Sequence, residues 1–129
     1  MSPDMDLYRL RNCIRGPGDP LYKYLRTSIT EALRIRFLVA FITESGARLM
    51  AKPLEEAAGR GTSITILTGT YLYNTEPYAL EYLKEKVGLS LELRVYAEAG
   101  RSFHPKAYFF DLPHDSEVFI SSANLSWTA

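Results

Sequence analysis

The stretch FHPKAYFFD, Phe103-His104-Pro105-Lys106-Ala107-Tyr108-Phe109-Phe110-Asp111, decides the fold, and after a short loop it is followed by VFISSANLS, residues 118–126. The aromatic, apolar run after Lys106 has the composition of a buried strand, and residues two apart in a strand share a face. His104 and Lys106 therefore point the same way, an imidazole that changes charge near neutral pH beside a permanent cation. Ser122 and Asn124 repeat that spacing at the end of the next apolar run, Val118-Phe119-Ile120, and add a hydroxyl and an amide. Where two such strands pair, four polar groups converge, and their chemistry suits a phosphate. Asp111 stands an odd number of residues from His104, so alternation sends it to the other face, in a supporting or hairpin-anchoring role rather than as general base.

Working back from the motif, the chain alternates helix and strand periods. Asp19-Pro20 supplies a cap and a first-turn proline, and Leu21, Tyr22, Leu25, Ile29 and Leu33 form one stripe, which predicts a helix over about 20–33. Phe37-Leu38-Val39-Ala40-Phe41-Ile42 is a continuous apolar run that suits a central strand covered on both faces. A helical pattern through Leu49, Met50, Leu54 and Ala58 follows Thr43-Glu44-Ser45-Gly46, with Pro53 expected to kink or restart it and Gly59-Arg60-Gly61 to stop it. Ile64-Thr65-Ile66-Leu67-Thr68 is a second buried strand by its β-branched content. Thr75-Glu76-Pro77 is expected to cap a helix over Tyr78 to Val87, closed by Gly88. Leu91 to Tyr96 alternates as a third strand, and residues 105–111 and 117–121 read as an antiparallel hairpin. The expectation is an α/β fold, a mixed, mostly parallel sheet flanked by helices on both faces. Residues 1–18 read as an irregular leader ending in the turn Gly16-Pro17-Gly18.

Composition bounds the rest. With 129 residues, 47% of them apolar, the chain suits one domain and not two. Fifteen basic and fifteen acidic residues cancel, so a polyanion would have to be held by a local patch rather than by global charge. The single cysteine, Cys13, excludes an internal disulfide and cysteine-based zinc sites. No run suits a membrane span or signal peptide, and a soluble, cytoplasmic protein is expected.

The pattern H-x-K, four residues, D, then S-x-N resembles the signature of the phospholipase D superfamily. The wider run from Val39-Ala40-Phe41-Ile42 through Leu67-Thr68-Gly69-Thr70 to Ser121-Ser122-Ala123-Asn124-Leu125-Ser126 is similar to the single-motif branch found at the N-terminus of DNA helicase-like and restriction-type proteins. The resemblance implies that His104 is a nucleophile forming a phosphohistidine. It implies too that Lys106 and Asn124, helped by Ser122, hold the non-bridging oxygens, with no metal and no cofactor. Three features depart from the usual pattern. Ser121 stands where the family has glycine, residues 112–120 separate Asp111 from Ser121, and there is one motif where two usually share a pocket. The resemblance therefore implies a homodimer or a second motif-bearing domain, and the end at Trp127-Thr128-Ala129 points to a fragment or one half of an assembly.

Other candidates lie nearby in sequence. Arg101, directly before the motif strand, is the arginine best placed for a phosphate contact. Glu44 follows a central strand, where open α/β sheets bind ligands, but also reads as a first-turn acid on the helix dipole, the reading favoured here. The group Thr68-Gly69-Thr70-Tyr71 holds the equivalent position on the next strand and lines the pocket or makes the turn, with Thr70 a candidate for substrate contact. His114 sits in a turn-like segment and is left out of the site. The expected function is metal-independent cleavage of nucleic-acid phosphodiesters, DNA before RNA. A non-catalytic module gripping DNA phosphates is the main alternative. Phospholipid hydrolysis is the other, against which stands the lack of an amphipathic basic helix.

Overall fold

The computed structural model describes residues 21–69, 75–97 and 103–121. In chain order these form helix α1 (Leu21–Glu31), strand β1 (Arg34–Val39), helix α2 (Glu44–Gly59), strand β2 (Ser63–Gly69), helix α3 (Pro77–Val87) with a short 3₁₀ turn (Gly88–Ser90), and strands β3 (Leu91–Tyr96), β4 (Lys106–Asp111) and β5 (Ser116–Ile120). The five strands make one sheet in the order β3-β2-β1-β4-β5. β1 runs parallel to β2 and β2 to β3, whereas β4 is antiparallel to both β1 and β5. The sheet is thus evenly mixed rather than mostly parallel.

Register sets which side chains are buried. Ile35, Phe37 and Val39 of β1 lie level with Ile64, Ile66 and Thr68 of β2 and with Phe110, Tyr108 and Lys106 of β4. All but Lys106 are buried, and the apolar ones join residues of α1, α2 and α3 in one hydrophobic cluster. Phe37 meets Tyr108 and Phe110 edge-on, with ring centroids 5.0 and 5.8 Å apart. The opposite face carries Arg36, Leu38, Thr65, Leu67 and Phe109, all partly exposed, and Val118 and Ile120, 51% and 85% exposed.

Among the described residues, then, the helices cover one face, not the two expected. The reason is topological. Two crossovers of the same hand that step in the same direction, β1 to β2 to β3, deliver both helices to the same face. The step back from β3 to β4 reverses direction, but no helix is described between those strands. The apolar run beginning at Phe37 does hold the central strand, but with shifted bounds as well as cover on one face. β1 runs from Arg34 to Val39, and Ala40-Phe41-Ile42 lies in the connection to α2, which begins at Glu44.

Three local differences have chemical causes. α1 ends at Glu31, and exposed Leu33 leads into β1 instead of extending the stripe. Carbonyls at and just past the end of α1 are met by side chains, Ile29 O by Arg60 Nη2 (2.7 Å) and Ala32 O by Thr62 Oγ1 (2.8 Å). α2 runs through Pro53 without a break. Pro53 has no N–H to give Leu49 O four residues earlier, and Tyr22 Oη from α1 donates to that carbonyl at 3.2 Å. Within Thr75-Glu76-Pro77, Glu76 is the N-cap of α3 and Pro77 opens its first turn as expected, while Thr75 bonds elsewhere. The Thr75 hydroxyl donates to Gly69 O and accepts from Ile42 N, tying the connection after β1 to the end of β2. No described helix is long and apolar enough to cross a membrane.

Candidate active site

The chain steps from β1 to β2 to β3 on one side of β1 and then returns to lay β4 on the other. In open α/β sheets ligands bind at the carboxyl ends of strands where the winding reverses. Here that place is the carboxyl end of β1 beside the amino end of β4. Lys106 is the first residue of β4 and pairs with Val39, the last of β1. His104 is exposed two residues before it.

Lys106 lies on the helix-covered face, because it shares a register row with buried Val39 and Thr68 and alternates with Tyr108 and Phe110. Its ammonium donates to the main-chain oxygen of His104 at 3.0 Å, which fixes the two motif residues relative to one another. Ser121 N donates to Lys106 O at 2.9 Å, so Ser121, the last described residue, lies beside the lysine. Ser122, Asn124, Arg101 and Thr70 lie outside the described residues.

The amino ends of α2 and α3 open on the same rim, since each helix follows the carboxyl end of a parallel strand. Helix amino ends carry partial positive charge and favour anions. Thr43 caps α2, its Oγ1 accepting from Gly46 N at 3.3 Å. Glu44 begins that helix, and its carboxylate accepts from Arg48 Nε at 3.0 Å. Arg48 also lies over the Tyr82 ring, 4.8 Å from the centroid, and is held more firmly protonated by its bond to Glu44. Glu44 thus closes the first turn of α2 in a surface pair with its own helix.

Asp111 is at the far end of β4, about 17 Å from Lys106 by strand rise. It faces the open side, where Oδ1 accepts from Ser116 Oγ (3.3 Å) and from Arg36 Nη2 (3.4 Å), at the level where β4 and β5 join. His114 occupies the exposed turn at that same far end. The sequence contains two histidines, and the hairpin holds them at opposite ends of the sheet.

Three further groups stand at the rim, two of them, Thr68 and Gly69, from the Thr68-Gly69-Thr70-Tyr71 group expected to line the pocket or make the turn. Phe103, next to His104, stacks on Tyr96 with centroids 5.1 Å apart and planes 23° from parallel. Gly69 lies beneath it, and a Cβ there would stand 2.9 Å from Phe103 Cδ1. A glycine ending a β-branched strand signals close approach of another segment. Thr68 is fully buried, and its hydroxyl has no hydrogen-bond partner among the described residues. No protein-family model matches the chain, and no curated protein matches it.

Proposed function

We propose that the chain is a half-site of phospholipase D type that cleaves nucleic-acid phosphodiesters without metal, in the cytoplasm. The observation that carries this reading is that His104 and Lys106 lie together at the winding reversal, with Ser121 alongside and two helix amino ends opening nearby. A phosphodiester bound there meets an imidazole, a lysine cation and oriented backbone dipoles.

The chemistry runs in two displacements. An imidazole nitrogen of His104 bonds to phosphorus as the bond to the leaving oxygen breaks, and an acid gives that oxygen a proton. Water then attacks phosphorus, the phosphorus–nitrogen bond breaks, and the deprotonated acid takes the water's proton. His114 cannot be that acid in the same copy, because it sits at the other end of the hairpin. The partner group comes instead from the same histidine of a second copy, related by a two-fold axis through the site. Metal plays no part in this scheme.

The presence of one histidine–lysine pair per copy equally favours a second reading, a phosphate-gripping module that binds DNA without cutting it. One experiment separates them. Cleavage of labelled DNA by the wild type in excess EDTA, abolished by His104→Ala and kept by His114→Ala, is the expected result. Binding without cleavage assigns the gripping module, and activity that needs magnesium, or survives His104→Ala, refutes the half-site.

A further inference from the structure

Resting on the phosphodiester reading, we propose that the Tyr96–Phe103 pair is a stacking platform for an unpaired nucleobase, so that the substrate is single-stranded nucleic acid. Around the motif the two kinds of chemistry separate by side. Lys106 belongs to the helix-covered face, whereas Phe103 rests on Gly69 and Tyr96, which pair with one another on the open face. A strand whose phosphate sits at the rim can therefore turn the adjoining base onto the open face.

The platform is built into the sheet. Gly69 leaves the space that the Phe103 ring fills, with Phe103 Cβ only 3.2 Å from where a Cβ of residue 69 would be. Both rings remain partly exposed. Further along the same face, Arg36 lies over the Phe109 ring at 5.7 Å, and Arg94 is 72% exposed. Each arginine is shared with a carboxylate, Asp111 or Glu92, so the face is only mildly cationic and stacking must carry the recognition. Aromatic rings on an open sheet, with arginines among them, bind unstacked bases whatever their sequence. A duplex keeps its bases stacked inward, and a lipid phosphodiester has no ring to offer.

The test measures binding by fluorescence anisotropy on the full chain carrying His104→Ala, so that cleavage does not intervene. The probes are a labelled twelve-nucleotide oligothymidylate, an abasic strand of equal length, and the corresponding duplex. The abasic strand and the duplex are expected to bind at least about fivefold more weakly than the oligothymidylate. Tyr96→Leu and Phe103→Leu, checked for folding by thermal melting, should weaken the oligothymidylate alone. Equal binding of abasic and base-bearing strands overturns the proposal even if the leucine variants do not fold. Equal or tighter binding of the duplex overturns it too, as does full affinity in folded leucine variants. Self-association broken by Val118→Lys, with no strand binding, would give the open face to a second copy and also overturn it. Base-dependent binding by a wild type that cleaves nothing would remove the phosphodiesterase reading alone. Hydrolysis of bis(p-nitrophenyl) phosphate with base-independent binding would remove the platform alone.

Discussion

Gly69→Ala tests how the sheet holds the motif. A Cβ at residue 69 would stand 2.9 Å from Phe103 Cδ1, 3.2 Å from Phe103 Cβ and 3.2 Å from Ala40 O, where ordinary contacts begin near 3.5 Å. Rotating the ring relieves only the first of these. Phe103 Cβ and Ala40 O move only with the backbone, and Ala40 O already accepts from Gly69 N at 3.1 Å. Overpacking of this kind costs about 1–3 kcal/mol, and the reduced freedom of the unfolded chain returns about 0.4–1 kcal/mol. The net expectation is a loss of about 1–2 kcal/mol, or roughly 4–8 °C in Tm for a chain of this length. Urea unfolding followed by circular dichroism measures it. Against Phe103→Ala the cost of Gly69→Ala should fall by at least about 0.5 kcal/mol, because the closest contact is then gone. Below the transition the variant remains folded, so under the half-site proposal lower cleavage there would report displacement of Phe103 and, with it, His104. An unchanged urea midpoint, or strict additivity with Phe103→Ala, would refute the reasoning.

The remaining predictions concern the core, the helix pair and the assembly. Tyr22→Phe removes the donor to Leu49 O and should cost about 1 kcal/mol in urea unfolding; Pro53→Ala, which restores the helical donor to that carbonyl, should shrink the effect. Burial raises the pKa of Tyr108 above its usual value. The folded state therefore keeps that proton longer than the unfolded chain, and the stability this gives is full below about pH 10 and lost as pH rises beyond it, by up to about 1.4 kcal/mol per unit. Tyr108→Phe should flatten that limb of the stability curve, and an identical limb would rule out Tyr108 as its source. Under the half-site proposal, mixing wild type with an excess of His104→Ala should quench cleavage, because each shared site would then lack a nucleophile or an acid. Activity proportional to the wild-type fraction alone, in a chain that sediments as a monomer, would exclude the shared site.

Much of the fold is legible because its signals are local. Leu91 to Tyr96 alternates and forms β3 over those residues, and the hairpin strands fall within a residue of their expected bounds. What pattern alone does not carry is pairing. Arg34 and Arg36 read as a polar lead-in, yet they belong to β1, because β4 pairs back along the whole strand and gives Arg36 a partner in Asp111. Nor does an apolar run say whether both faces are covered, since that depends on the direction in which later strands are added. Thr75 had the spacing of a helix cap, but bonds to Gly69 O and Ile42 N bind it to the strand ends.

The candidate site divides along the same line. Alternation suffices to separate Asp111 from the motif lysine, because parity is a property of a single strand. Phe103 and Gly69 escape such reading, because their contact joins segments far apart in sequence and rests on a side chain that glycine lacks. The same contact explains why the motif begins where it does. Between β3 and β4 the chain must return across β2 and β1, and stacking Phe103 on Tyr96 anchors the returning chain over the end of β2. From that anchor the chain has only His104 and Pro105 left before Lys106 enters the sheet opposite Val39. The position of His104 is thus bounded on one side by an aromatic stack and on the other by a strand register, so that changes on the open face reach the histidine through two covalently adjacent residues.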